Sequence, residues 1–265
     1  MKKHLLLSAC ALALIVACGS NAGAVVSGTV SGSYAGNAGD GSGDLWNVNG
    51  SLLETFGSSG TWGAEETAGY HNFSVDGSHL NVWNLGGSAF WQNMQGRLAA
   101  TVNYYGTTES GVDIGVVNTG VGGEWYGGRS VTLAIKGGAE TLSASGYGSS
   151  GSQTGGYAGG MVQWYVIPNI SLSGAVDYYE VAGSHTTAET GKIEWMFSNS
   201  LPLSIYGGYE HADVSTGGLG SKGNLFFAGL KFYFNGTRGG ALVDRQRSGS
   251  LGYLSDMPIM GVTAN

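Results

Sequence analysis

His211 and Asp213 stand two residues apart, and an imidazole oriented by a carboxylate is the pairing that draws a proton from water or a hydroxyl. Nothing else that hydrolysis needs accompanies them. No G-x-S-x-G elbow, H-E-x-x-H pair or G-x-x-x-x-G-K-[ST] loop occurs in the 265 residues. The pair is expected to be polar rim residues, and the chain not to be an enzyme. Asp40-Gly41-Ser42-Gly43-Asp44 offers oxygen ligands at alternate positions as calcium loops do, but it lacks the closing bidentate Glu and reads as a Gly-rich outer loop. The two cysteines, Cys10 and Cys18, both lie in an N-terminal leader, which excludes disulfide, zinc and thiol chemistry from the exported chain. No cofactor or metal is expected.

What chemistry remains is electrostatic, and its clearest sign is Gly223 to Phe234, GNLFFAGLKFYF. Phe226, Ala228, Leu230, Phe232 and Phe234 share one parity, whereas Lys231 shares the other with Leu225, Phe227, Gly229 and Tyr233. A period of two is that of a strand, and five apolar side chains facing one way suit lipid. A lipid-facing Lys at the bilayer midplane costs roughly 2 to 4 kcal/mol, so Lys231 marks the lumen side. Elsewhere, Leu98, Ala100, Val102 and Tyr104 oppose Arg97, Thr101 and Asn103. Leu133 and Ile135 likewise oppose Lys136, and Leu172 and Val176 oppose Asp177. Ile193 and Trp195 oppose Lys192 and Glu194, and Ile205 and Tyr209 oppose Glu210. The pore-lining candidates are therefore Arg97, Lys136, Asp177, Lys192, Glu194, Glu210 and Lys231. Their mixed signs predict weak ion selectivity, with Asp40, Asp44, Asp76, Glu109 and Asp213 in loops favouring cations at the mouth. Adjacent Glu65 and Glu66 cannot both face a lumen from a regular strand, so one is expected near a rim or at a bulge. Residues 79 to 91 show no clean parity.

These side chains need a scaffold outside the cytoplasm. Lys2, Lys3 and His4 precede an apolar run from Leu5 to Ala17 and a small-residue cleavage site, Ala22-Gly23-Ala24, which predicts an export signal over 1–24 cut after Ala24. Ile15-Val16-Ala17-Cys18 offers the alternative of a lipobox with Cys18 acylated. No run reaches the roughly 18 apolar residues of a membrane-spanning helix. Charged residues make up 11% of the chain against about 25% in soluble domains, and 50 residues are Gly. Little is left to solvate an exterior, and Gly at this density disfavours long helices. Loss of the leader reduces 11 basic residues to 9 against 18 acidic, a net charge of −9 that argues against nucleic acid as a partner.

From Val25 to Phe234, alternating segments separated by Gly, Ser, Asn and Asp predict twelve antiparallel strands, at 26–35, 45–56, 61–73, 79–91, 96–106, 111–122, 129–148, 156–166, 170–181, 190–198, 203–212 and 223–234. An even number keeps both ends on one side of the membrane. Short turns at Gly57 to Gly60, Ile167 to Asn169 and Ser198 to Pro202 alternate with polar loops at Asn37 to Asp44, Ser149 to Gly155, Ala182 to Glu189 and Asp213 to Lys222, predicting rims of unlike length. Trp46, Trp62, Trp83, Trp91, Trp125, Tyr70, Tyr104 and Tyr178 fall mostly toward strand ends, where amphipathic rings suit membrane interfaces. Hydrocarbon leaves no solvent for bare backbone groups, so the sheet must close. The expected fold is all-β, a transmembrane up-and-down antiparallel barrel over 25–234. The Gly/Ser/Arg-containing tail 235–265, with Arg238, Arg245 and Arg247, shows no period and reads as a disordered periplasmic extension, with a folded-in plug or an envelope tether as the alternatives.

Gly229-Leu230-Lys231-Phe232-Tyr233-Phe234 resembles the terminal-strand signal of Gram-negative outer-membrane barrels, in which aromatic or large apolar residues follow a Gly at three and five residues, here Phe232 and Phe234. The resemblance to porin-like barrels covers roughly 25–234. It departs from the pattern at Phe227, where a polar residue is usual, and in a chain that runs on past the last strand. What it implies is insertion by the barrel-assembly machinery, residence among outer-membrane lipid as a multi-pass barrel, and passive passage of small hydrophilic solutes. A homo-oligomer is compatible with it. Two other functions stay open: a non-conducting structural or adhesive barrel whose lumen is plugged, and a secreted soluble Gly-rich β-sandwich that binds carbohydrate.

Overall fold

A computed structural model describes residues 25–37, 43–56, 61–75, 78–109, 111–217, 219–234 and 240–255. Twelve strands follow one another: β1 (Val25–Asn37), β2 (Gly43–Phe56), β3 (Trp62–Val75), β4 (Ser78–Asn93), β5 (Gly96–Glu109), β6 (Val112–Gly127), β7 (Val131–Gly146), β8 (Ser149–Ile167), β9 (Ile170–Val181), β10 (Ser184–Met196), β11 (Leu203–Thr216) and β12 (Leu219–Phe234). Each pairs antiparallel with its neighbour in sequence. β1 pairs with β12, from Gly28 opposite Phe234 to Asn37 opposite Leu225, which closes the barrel. Residues 131–146 form one strand across Gly137-Gly138, as the count of twelve requires.

The parity read from sequence holds around the wall. Outward residues such as Ile135 (71% exposed), Val121 (67%) and Phe226 (61%) contrast with inward Arg97 (2%) and Glu194 (0%). Aromatic rings stack across strand pairs on the outside, Trp46 on Tyr70, Trp83 on Tyr104 and Tyr209 on Phe226, with centroids 5.0–5.3 Å apart. Trp62, Trp125, Trp164 and Trp195 are exposed toward the other rim, the one that carries the start of β1 and the end of β12. Two girdles flank an apolar band, as a bilayer with two interfaces demands.

The predicted long loops are corrected. Three of the four expected polar loops are mostly ladder: β8 begins at Ser149, β10 at Ser184, and β11 runs to Thr216 before β12 resumes at Leu219. Two-residue turns close the first two hairpins, Tyr147-Gly148 (φ 50° and 82°) and Ala182-Gly183 (φ 60° and 74°), with both φ positive as in type I′. Polar, Gly-rich sequence looked like loop because it lacks an apolar face. Strands longer than the 9–11 residues that span a bilayer continue into water, where neither face need be apolar. Gly57 to Gly60 and most of Asn37 to Asp44, including Asp40, lie outside the described residues.

Glu65 and Glu66 are also placed differently from the expectation. β3 pairs without a bulge on both sides, so the two point to opposite faces: Glu65 inward at 1% exposure, Glu66 outward and exposed. Glu66 lies four residues from Trp62 and four from Tyr70 on the same face, roughly 13 Å along the strand from each ring. An acid midway between the girdles is unfavourable in hydrocarbon, by less than the roughly 2 to 4 kcal/mol of a midplane Lys or Arg. Glu66→Leu is therefore expected to raise the urea midpoint of the protein refolded in vesicles, measured by the heat-dependent gel shift of closed barrels. An unchanged or lower midpoint counts against lipid contact at this position.

Candidate functional site

The barrel interior is the site. Arg97, Lys136, Asp177, Lys192, Glu210 and Lys231 line a cavity of about 670 Å³, and Glu194 is wholly buried on the same inner face. Opposite charges meet there: Arg97 Nε lies 3.0 Å from Glu124 Oε2, Lys136 Nζ 3.2 Å from Asp177 Oδ1, and Lys192 Nζ 3.7 Å from Glu194 Oε2. Low charge on an outer wall in lipid and balanced charge on an inner wall are two sides of one alternation. Lys231 and Lys192 also lie near the ring of Tyr206, at 6.0 and 5.8 Å from its centroid.

The tail is not an extension beside the barrel, which corrects the expectation for that part of 235–265. Residues 240–255 fold into the lumen from the rim that carries the chain ends, as helix α1 (Leu242–Gly249) followed by a 3-10 turn, Gly252–Leu254. At its start the helix is fixed to the β8–β9 turn: Leu242 N–H donates to Asn169 Oδ1 (3.2 Å) and Val243 N–H to Pro168 O (3.2 Å). Leu242 packs against Met196 and Tyr233, and Val243 against Tyr165. The Asp244 carboxylate accepts from Ala241 N–H (3.2 Å), which places an acid at the helix N-terminus where the macrodipole favours it.

Beyond this apolar entry the contacts are polar and reach most of the way round the wall. Arg97 donates through Nη2 to Gln246 O (3.0 Å) and through Nη1 to Ser250 O (2.9 Å), while its Nε serves Glu124 and Tyr126. Gln246 Nε2 donates to Glu194 Oε2 (3.1 Å). Arg247 donates to Gly128 O (2.6 Å) and Val131 O (2.7 Å) and stacks on Tyr126, 4.4 Å from the ring centroid. Glu65 Oε1 accepts from Ser250 Oγ (2.8 Å) and Leu251 N–H (3.0 Å). Tyr253 donates its hydroxyl to Asp177 Oδ1 (2.8 Å). Burial first, and the Asp177 carboxylate second, push that phenol's pKa up and keep it a donor. Leu251 and Leu254 fill an apolar patch on the inner wall formed by Leu53, Phe90, Ala99 and Ala134.

Other residues singled out from sequence do not assemble. His211 Nδ1 pairs with Asn224 Oδ1 (2.8 Å) and Asp213 with Lys222 (3.0 Å), both across β11 and β12, so the imidazole and carboxylate each engage a different partner. Asp44 accepts from the Tyr34 hydroxyl (2.6 Å). Gly229 sits under the Tyr206 ring, and Phe232 and Phe234 lie on the outward parity of the closing strand. Sequence reasoning missed Glu124, Gln163 and Gln246 as parts of the interior and left open which of Glu65 and Glu66 faces it. Glu124 was recoverable, since it opposes outward Trp125 as Arg97 opposes Leu98.

A closed up-and-down barrel with an apolar band between aromatic girdles and a charged interior defines the class, a β-barrel of outer-membrane type. Among solved structures the chain is similar to an outer membrane channel from Pseudomonas putida F1 (13% identity, TM-score 0.55, covering 82% of this chain and 97% of that one). It is also similar to the NanC porin (11% identity, TM-score 0.51, 77% and 98% covered) and to the KdgM porin in complex with disordered oligogalacturonate (9%, 0.50, 77% and 98%). At these identities the shared property is the fold. No protein-family model matches the sequence, and no curated protein is significantly similar to it.

Removing one member of a buried, hydrogen-bonded ion pair leaves the other uncompensated and costs about 3–5 kcal/mol. Arg97→Gln is expected to lower barrel stability by an amount of that order and to release 240–255, seen as new protease cuts there in the refolded protein. Arg129→Gln, which breaks the exposed Arg129–Asp244 bridge (2.7 Å; side chains 69% and 39% exposed), is expected to leave the cleavage pattern unchanged.

Proposed function

We propose that this chain is an outer-membrane channel of a Gram-negative envelope through which small hydrophilic solutes diffuse passively, with weak ion selectivity, past a constriction formed by its own residues 240–255. The observation that carries this is the segregation of charge. Opposed pairs line the interior, while the outer band between the girdles is mostly apolar, with Glu66 and Thr119 among its polar exceptions. A twelve-stranded barrel lies between eight-stranded ones, filled by side chains, and sixteen-stranded porins with an open channel. Here the cavity persists above the folded-in segment. The proposal includes a leader over 1–24 cleaved at Ala24 or acylated at Cys18, both outside the described residues. It also includes insertion by the barrel-assembly machinery through the Gly229, Phe232 and Phe234 signal. Homo-oligomers would pack through the apolar band. No catalytic role is proposed for any residue.

A second reading, a non-conducting structural or adhesive barrel, is favoured by the hold of 240–255 on the wall at the terminal rim. The β-sandwich alternative is set aside by the closing β1–β12 ladder. Planar-bilayer recording of the refolded chain, whole and ended after Phe234, separates the two that remain. The whole protein is expected to give small conductance steps and the shortened one severalfold larger steps, with the heat-dependent gel shift confirming that both are closed. Absence of current in both forms would leave only the non-conducting reading.

A further inference from the structure

The interior is not uniform around its circumference. Above the folded-in segment, register places Tyr206, Gly229, Ser33, Asn47 and His71 in one cross-strand row from β11 to β3. The row next to it, nearer the terminal rim, runs through Ser31, Asn49, Gly69 and Asn84, and the row after that through Thr29, Ser51 and Thr67. From β1 to β4 these rows carry hydroxyl, amide and imidazole groups and no carboxylate, Lys or Arg. The pairs Lys136–Asp177 and Lys192–Glu194 stand on β7, β9 and β10, and Lys231 on β12 continues the row of Ser31.

The amides form an ordered shelf. Asn47 Nδ2 donates to Ser33 Oγ (2.7 Å), Asn49 Nδ2 to Asn47 Oδ1 (3.1 Å), and His71 Nε2 meets Asn84 Oδ1 (3.1 Å). Gly69 lies between Asn49 and Asn84, whose side-chain oxygens would come within 2.1 and 2.2 Å of a Cβ placed there, so only Gly lets the two amides lie flat over the strand. The Thr67 hydroxyl lines the same cavity, buried and without a hydrogen-bond partner among the described residues. Tyr206 and Phe227 end the shelf with two rings tilted at 55°, centroids 6.4 Å apart.

We infer that this shelf binds a neutral, polyhydroxylated solute, a short uncharged oligosaccharide, entering from the rim remote from the chain ends. Sugar hydroxyls both donate and accept, as amides and hydroxyls do, and the C–H face of a pyranose fits an aromatic ring. In these rows from β1 to β4 a charged solute meets no carboxylate, Lys or Arg. A cavity of about 670 Å³ is within the range of sites for ligands of that size. The inference rests on the channel reading for the solute's route, and its test is independent of current.

Calorimetric titration of the full-length protein in detergent micelles with maltotriose, trigalacturonate and the trimer of glucosamine tests it. Maltotriose is expected to bind more tightly than either charged trimer. Asn84→Leu, or Gly69→Ala where Asn84→Leu fails the heat-dependent gel shift, is expected to weaken it about tenfold, the loss of one to two hydrogen bonds. Equal or tighter binding of a charged trimer, no binding of maltotriose, or unchanged affinity in a folded shelf variant overturns the inference. Current through the bilayer without maltotriose binding overturns it and leaves the channel standing. Binding without current supports it and overturns the channel.

Discussion

Every structural feature of this chain depends on the ladder between β1 and β12. In hydrocarbon an unpaired backbone N–H or C=O costs several kcal/mol, and an open twelve-stranded sheet would expose two edges of them. Pairing Gly28 with Phe234 and Asn37 with Leu225 removes both edges. Closure also divides the side chains: with strand period two, each wall residue faces either lipid or lumen, and a one-residue slip would carry Arg97, Lys136 and Glu194 into the membrane. The charge pairing inside and the apolar band outside are thus one register read from two faces.

The folded-in tail explains why some of the wall departs from that division. Leu53, Phe90 and Ala99 are apolar and face inward, which makes no sense for a water-filled lumen but fits Leu251 and Leu254 lying against them. Phe90, with Leu80 and Val82 on the same inward parity, is why 79–91 shows no clean parity. Its strand is apolar on both sides there, lipid on one and the tail on the other. Met196 and Tyr233 make the same exchange with Leu242.

Most of the barrel was legible in the sequence because its signal is local: alternation specifies each strand, and Lys231, Asp177 or Glu194 fixes which face is which. All twelve strands and the inward placement of the seven charged candidates follow from that alone. What was not legible depends on contacts between distant residues. The strand ends beyond the membrane carry no alternation, so Ser149 to Gly155 and Ala182 to Glu189 looked like loops. The tail carries no helical period because its surroundings are polar almost all round. Arg247 reaches backbone carbonyls and tyrosine rings, Gln246 reaches Glu194, and the apolar contacts come from Ala241, Leu242, Val243, Leu251, Tyr253 and Leu254, at no helical spacing.

The kind of contact that holds the tail bears on what it can do. A helix packed on a wholly apolar wall gains from burial and exchanges poorly with water, since each buried Leu contributes about 1.5–3 kcal/mol. Residues 240–255 combine both kinds: Leu242, Val243, Leu251 and Leu254 are buried against apolar partners, whereas the hydrogen bonds exchange protein partners for water partners at about 0.5–1.5 kcal/mol for each neutral bond. Arg97 illustrates the balance. Its Nε is committed to Glu124 and Tyr126, part of the wall, whereas its two terminal nitrogens serve main-chain carbonyls of the tail. The wall keeps its own ion pair whether or not the segment is seated, so withdrawal of 240–255 would expose a guanidinium already half satisfied rather than a bare buried charge.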